Sequence, residues 1–308
     1  MGEMETTPSL QPTIPSSPGE SAFGGANPRG GAFPNLLVIG AQKAGTSSLH
    51  RYLDLHPEIS MSRPKELNFF MLYPEPSSEQ LEWYGQHFPA DARVRGESSP
   101  NYSCYPQVRG VPERIHRRIP EARLIYMVRD PIERAVSSYL QSSAMGSDER
   151  PIAEALDDPD SWYVSRGLYY TQLEQYLPYF PQAQILVVAQ EALLRRRAET
   201  MRRIFRFLEV DESFWSPEFE RMWEVSSGKG RAYRLAYRAS RWIAGPELWG
   251  RLPTGVRWLG ERLVYNPQHG ASRPELDAGL RERLAERFRE DAGRLRELTG
   301  EDFADWSV

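Results

Sequence analysis

The sequence predicts an α/β fold: one domain built on a P-loop-like parallel sheet flanked by helices on both faces. Three observations carry this. Short apolar runs of strand type recur at 36–39, 121–128 and 185–189. Each is followed by apolar residues spaced at helical period. Glycine or proline marks the joints between them. Apolar runs buried on both faces with helices between are the pattern of a parallel sheet, because its crossover helices cover it.

Taken in order, residues 1–33 hold Pro8, Pro12, Pro15, Pro18 and Pro28 beside a glycine-rich patch, and predict a disordered tail ahead of a domain spanning 34–308. The strand at 36–39 breaks at Gly40, and Leu49, Tyr52 and Leu53 begin a helix that Pro57 stops. A short strand at 59–61, a helix at 79–88, a strand at 93–98 and a helix at 111–119 follow. The run 121–128 is the clearest buried strand. Asp130 and Pro131 then supply a cap and a first-position proline for the next helix. Further helices are predicted at 166–177 and 198–208, around the strand 185–189. Near the end, Ser272 and Glu275 form a capping box, after which Leu276, Leu280, Leu284, Phe288 and Leu295 repeat at helical period up to Gly300. That pattern predicts an amphipathic helix docked on the core. No internal repeat is visible.

Composition narrows the function. With 308 residues and a formal net charge of −4, the chain is no general nucleic-acid binder. A single cysteine, Cys104, excludes an intramolecular disulfide and suits a reducing compartment. No secretory leader opens the chain and no apolar run approaches the ~20 residues that span a bilayer, so a soluble, cytoplasmic protein is expected. The five histidines show no ligand spacing, and no metal is expected. Of 38 basic residues only Lys43, Lys65 and Lys229 are lysines. Lysine is a compact point charge where arginine is a planar fork, so a tight anion pocket is a place that would require it.

The chemistry centres on Gly40-Ala-Gln-Lys43-Ala44-Gly45-Thr46-Ser47-Ser48, a tight turn between strand and helix. Glycines let the backbone curl with its N–H groups inward, and the positive end of the helix dipole adds to them, which makes an anion site. A nucleoside-triphosphate loop has the same glycine separation but places Lys and Ser/Thr after the second glycine. Here Lys43 lies inside the loop. That arrangement resembles the 5′-phosphosulfate loop of sulfotransferases using 3′-phosphoadenosine 5′-phosphosulfate (PAPS), and the resemblance implies binding by Lys43, Ala44, Gly45, Thr46, Ser47 and Ser48, with Lys43 also stabilising charge on the leaving phosphate oxygen.

Two further segments agree with it. Arg129-Asp130-Pro131, with Ser137 eight residues after the arginine, puts a bidentate cation at a strand end and a hydroxyl on the adjacent helix. It is similar to the family's 3′-phosphate element. Lys229-Gly230-Arg231 resembles the loop that, in the heparan sulfate N-/3-O-sulfotransferase branch, folds over the nucleotide. The resemblance is thus to that branch, in a soluble, bacterial-type form.

Lys65-Glu66-x-x-Phe69-Phe70 resembles the segment whose glutamate deprotonates the acceptor, which implies Glu66 as catalytic base. Departures are plain: Asn68 stands where the 3-O-sulfotransferase branch has histidine, Met71 where it has aspartate, and Ser98 replaces lysine in Glu97-Ser98-Ser99-Pro100. They leave the reaction in place and set this chain apart from a heparan-type acceptor. Residues 231–265 carry seven arginines against two glutamates, interleaved with Tyr and Trp, and suggest an insertion or lid that meets a carbohydrate or lipid-linked acceptor, contacts an anionic membrane peripherally, or simply packs on the core. The expected reaction moves a sulfuryl group to a hydroxyl or amine of a glycan, lipid or natural product. Two alternatives stay open: a P-loop kinase or ATPase with Asp130 as magnesium ligand, and a non-catalytic nucleotide-binding module.

Overall fold

A computed structural model of the chain describes residues 31–221 and 275–308. Five parallel strands form one sheet in the order β2-β3-β1-β4-β5. They are β1 (Leu36–Gly40), β2 (Ile59–Met61), β3 (Val94–Ser98), β4 (Arg123–Val128) and β5 (Ile185–Ala189). β1 lies at the centre, pairing Leu37 with Glu97 of β3 on one side and with Leu124 of β4 on the other. Leu36, Leu37, Val38 and Ile39 have no exposed surface, nor have Leu124 to Val128, as strands covered on both faces require.

Among the described residues the α-helices are α1 (Thr46–Asp54), α2 (Phe69–Leu72), α3 (Ser78–Gly85), α4 (Val111–Arg118), α5 (Pro131–Met145), α6 (Ile152–Asp157), α7 (Trp162–Ser165), α8 (Tyr169–Glu174), α9 (Gln190–Arg195), α10 (Arg197–Leu208) and α11 (Ala278–Thr299). The helix predicted over 166–177 is shorter, Tyr169–Glu174, and Arg166, Gly167 and Leu168 separate α8 from α7. A Cβ at Gly167 would stand 2.9 Å from the Phe288 ring, so α11 packs where a side chain would have been.

The last helix docks as its periodicity predicts, but its start differs. α11 begins at Ala278 with Asp277 as cap, whose carboxylate accepts from the Leu280 N–H at 2.9 Å, so the box at 272–275 is not its N-terminus. Leu280, Leu284 and Phe288 fill a second core with Ile132, Val136, Leu156 and Tyr163. Asp291 accepts from the Tyr170 and Thr171 N–H groups at 2.8 and 3.0 Å and so caps α8. Arg287 donates to the carbonyls of Leu156 and Asp158, at the negative end of α6.

The predicted tail at 1–33 enters the described part at residue 31. Residues 31–32 are held against 88–89 by a bridge between Gly31 and Pro89 and by the Ala32 N–H on Phe88 O at 3.2 Å. No helix among the described residues is long and apolar enough to cross a membrane.

Candidate active site

The turn after β1 is a cradle because nothing larger than glycine fits its entry. A Cβ at Gly40 would meet Ser103 Oγ at 1.9 Å and the Tyr126 ring at 2.8 Å. Lys43 (φ 72°) and Gly45 (φ 89°) adopt the left-handed conformation that curls the backbone. Gly45 is the cap position of α1, and no side chain caps that helix. The first turn of α1 therefore presents its N–H groups with the Thr46, Ser47 and Ser48 hydroxyls among them, the arrangement that holds an anion. Ala44 is fully buried and anchors the turn.

Arg129 arrives from the end of β4. Its Nη1 donates to Lys43 O at 3.5 Å, so the structure brings this predicted anion ligand onto the loop. The Tyr169 hydroxyl fixes the strand end by donating to Arg129 O at 2.8 Å while accepting from the Arg129 N–H at 3.4 Å. Ser137 lies two turns along α5, buried. Asp130 is occupied as the cap of α5: one oxygen accepts from the Glu133 N–H at 2.9 Å and the other from the Ser307 N–H at 2.6 Å. Both oxygens thus serve the cap, which does not favour the magnesium-dependent kinase reading. Lys229, Gly230 and Arg231 lie outside the described residues, as does the whole segment 231–265.

The Glu66 segment hangs on the end of β3 by hydrogen bonds between residues about thirty apart in sequence. The Asn68 N–H donates to Ser99 Oγ at 3.0 Å, Asn101 donates to Asn68 Oδ1 at 3.3 Å, and the Phe70 N–H donates to the Tyr102 hydroxyl at 3.2 Å. Asn68 takes a left-handed conformation (φ 52°), which asparagine tolerates, and it caps α2. Phe69 stacks on Tyr84 with ring centroids 4.1 Å apart. Glu66 itself is exposed and open to an acceptor.

Two buried titratable groups lie behind these segments. His50, on α1, shares a 2.9 Å hydrogen bond with Ser98 Oγ, in the place where the resemblance leads one to expect lysine. Burial first, and the nearby Lys65 ammonium second, push its pKa down to about 4, so it is neutral at pH 7. Glu97 has no exposed surface, and burial pushes its carboxyl up to about 8. The Tyr102, Ser99 and Tyr84 hydroxyls nearby offset part of that shift, yet neither carboxyl oxygen is engaged in a well-aligned hydrogen bond. A neutral, enclosed carboxyl is not placed to take a proton from an acceptor, whereas Glu66 is exposed.

Sequence reasoning gave Lys65 no role beyond its motif, although it is one of three lysines. Its ammonium donates to Glu66 Oε1 at 2.8 Å, Ser47 Oγ at 3.1 Å and Thr46 Oγ1 at 3.3 Å, and so joins the base segment to the anion loop. Arg166, also unforeseen, donates to Gln42 Oε1 in the loop at 3.0 Å and lies over the Trp162 ring. No local motif marks it, because its partner is 124 residues away. Among the described residues no group of His, Cys, Asp or Glu is set to hold a metal ion.

Comparison with known proteins agrees with this geometry. The chain is 30% identical over 306 residues to human heparan sulfate glucosamine 3-O-sulfotransferase 6, covering 96% of this chain and 80% of that protein. It is 28% identical over 318 residues to human heparan sulfate glucosamine 3-O-sulfotransferase 3B1, covering 98% and 73% respectively. Its fold matches the crystal structure of a sulfotransferase from Alicyclobacillus acidocaldarius with a TM-score of 0.63 and 24% identity, over 90% of this chain and all of that one. Residues 33–228 match the sulfotransferase domain family, and the chain belongs to that family as an enzyme of sulfuryl transfer.

Proposed function

We propose that the enzyme takes its sulfuryl group from PAPS and delivers it to a hydroxyl or amine, with Glu66 as base. The observation that carries this reading is the convergence of Lys43, the uncapped N-terminus of α1 and Arg129 on one turn, beside an exposed carboxylate. The turn fits a phosphosulfate: Gly40 leaves the space a Cβ would fill, and Thr46, Ser47 and Ser48 supply hydroxyls at the positive end of a helix. Arg129, with Ser137 on α5, provides for the 3′-phosphate. Lys229, Gly230 and Arg231 belong to the same proposal as a cover over the nucleotide.

In the reaction the acceptor's lone pair attacks sulfur in line, the bond from sulfur to the bridging phosphate oxygen breaks, and its electron pair stays on that oxygen. Lys43 faces the charge that develops there. Glu66 receives the acceptor's proton. Positioning and electrostatics supply most of the acceleration.

For the acceptor, carbohydrate is the first class to test, because the similar human proteins are glucosamine sulfotransferases. Asn68, engaged with Ser99 and Asn101, and Ser98, engaged with His50, are built into the scaffold, so acceptor selection differs from that of the heparan enzymes. The basic aromatic segment 231–265 is proposed as the acceptor platform, by the reach of its attachment to the nucleotide loop. Isothermal titration with 3′-phosphoadenosine 5′-phosphate (PAP) beside ADP tests the donor. Strong preference for the bisphosphate is expected, and equal affinity for the two would sink the reading.

A further inference from the structure

Lys65 stands where the two halves of the site meet. An ammonium has three protons, and its contacts with Glu66, Ser47 and Thr46 use all three. Each hydroxyl accepts from the ammonium, so its own proton is directed elsewhere. The backbone is held apart from this traffic: Lys65 O accepts from the Ser98 N–H and from Ser62 Oγ, each at 3.4 Å. Only the flexible end of the side chain has to move for the ammonium to change partners. Glu66, as it stands, has one oxygen engaged by a cation, a poor state for a base.

We propose that Lys65 is an exchangeable phosphosulfate ligand that couples donor binding to release of the catalytic base. Without donor, its ammonium is shared between Glu66 and the loop hydroxyls. With donor, the multiply charged anion over Thr46 and Ser47 takes the ammonium, and Glu66 is freed to accept the acceptor's proton. The competition favours the donor, because a part-exposed lysine–carboxylate pair is weak in water, while charge-assisted hydrogen bonds to a multiply charged anion are stronger. Lysine suits the exchange where arginine does not: a rotatable point charge changes partners without realigning a planar fork. The transfer step is unchanged in balance. The S–O bond to the acceptor forms (S–N for an amine) as the bond to the phosphate oxygen breaks, and the proton ends on Glu66. This inference rests on the PAPS reading above.

The test is titration of PAP, with ADP as control, into wild type, Lys65→Met, Lys65→Gln, Glu66→Gln and Lys65→Met/Glu66→Gln, each checked for a wild-type thermal melt. Both lysine variants are expected to bind PAP about tenfold or more weakly. Glu66→Gln is expected to bind it about two- to fivefold more tightly, because the competing partner has gone. In the double variant that tightening should vanish. Wild-type affinity in both lysine variants overturns the proposal. So does tightening that persists without Lys65, since it would then reflect loss of a negative charge alone. A wild type that binds PAP no better than ADP breaks the donor reading itself, whatever the lysine variants do.

Discussion

Residues 40–48 and residues 65–70 both follow strands of one sheet and meet where Lys65 bonds Thr46 and Ser47, yet they are held in different ways. The first segment is shaped by its own neighbours in sequence: a glycine at the strand end, two left-handed residues and a helix that starts at once. The second has no such local frame. Its conformation comes from Ser99, Asn101 and Tyr102, some thirty residues on, and from the Tyr84 ring. The loop is thus shaped locally and the Glu66 segment by long-range packing, with the Lys65 ammonium joining the two through Thr46, Ser47 and Glu66, so on the proposed roles damage to the loop and damage to Glu66 should separate in experiment.

The largest expected effect is on turnover. Glu66→Gln should lower kcat by about 10²–10⁴ while PAP binding is kept or strengthened, because the base acts only in the chemical step. A chemistry-limited assay with unchanged kcat would remove Glu66 from the role.

The two buried groups predict opposite pH responses. The Glu97 carboxyl is raised, so between pH 4.5 and 8 the unfolded chain binds fewer protons than the folded one, and stability falls as pH rises through that window, by on the order of 4 kcal/mol. Glu97→Gln removes this loss. Its stability relative to wild type, read by urea melts, should climb from pH 5 to 8. His50 works the other way: its pKa is lowered, so stability is complete above 6.5 and is lost as pH falls towards 4, by about 3 kcal/mol. A His50→Gln variant should flatten the acid side alone.

Arg129→Ala should weaken PAP binding by about 1.5–3 kcal/mol without altering the thermal melt, since the strand end stays held by Tyr169 through backbone atoms. Smallest is Ser99→Ala, which leaves the buried Asn68 N–H without its acceptor and should cost about 1–2 kcal/mol of stability. If the shift reaches Glu66 and stops short of the Lys65 ammonium, this variant lowers kcat and leaves PAP affinity unchanged. A matching fall in affinity would show that the anion loop also depends on β3.

The same contrast decides what was legible in the sequence. The loop from Gly40 to Ser48, the cap and proline at Asp130–Pro131 and the strand 185–189 follow from contiguous residues, and the structure has them where expected. Glu66 was legible as an exposed carboxylate in a motif. Its pairing with the adjacent Lys65 is local, but the grip of Lys65 on Thr46 and Ser47 depends on how β2 and β1 lie in one sheet, which no local pattern states. Arg166 on Gln42 and Tyr169 on Arg129 are hidden for the same reason. The later start of α8 was missed because helical periodicity runs through Gly167, and only the Phe288 ring of a distant helix shows why the glycine is needed.

The contact between Ser307 and Asp130 has a temporal side. Trp306 stacks on Phe303 with ring centroids 4.3 Å apart and lies beside Tyr169, the residue that grips Arg129, while the Ser307 N–H closes on the cap of α5. Arg129 is synthesised in mid-chain, but the strand end that carries it gets its last support only from residues 303–307. On the ribosome, the turn after β1 can form as soon as its strand and helix have emerged; the arginine's seat must wait until residues 303–307 have emerged as well.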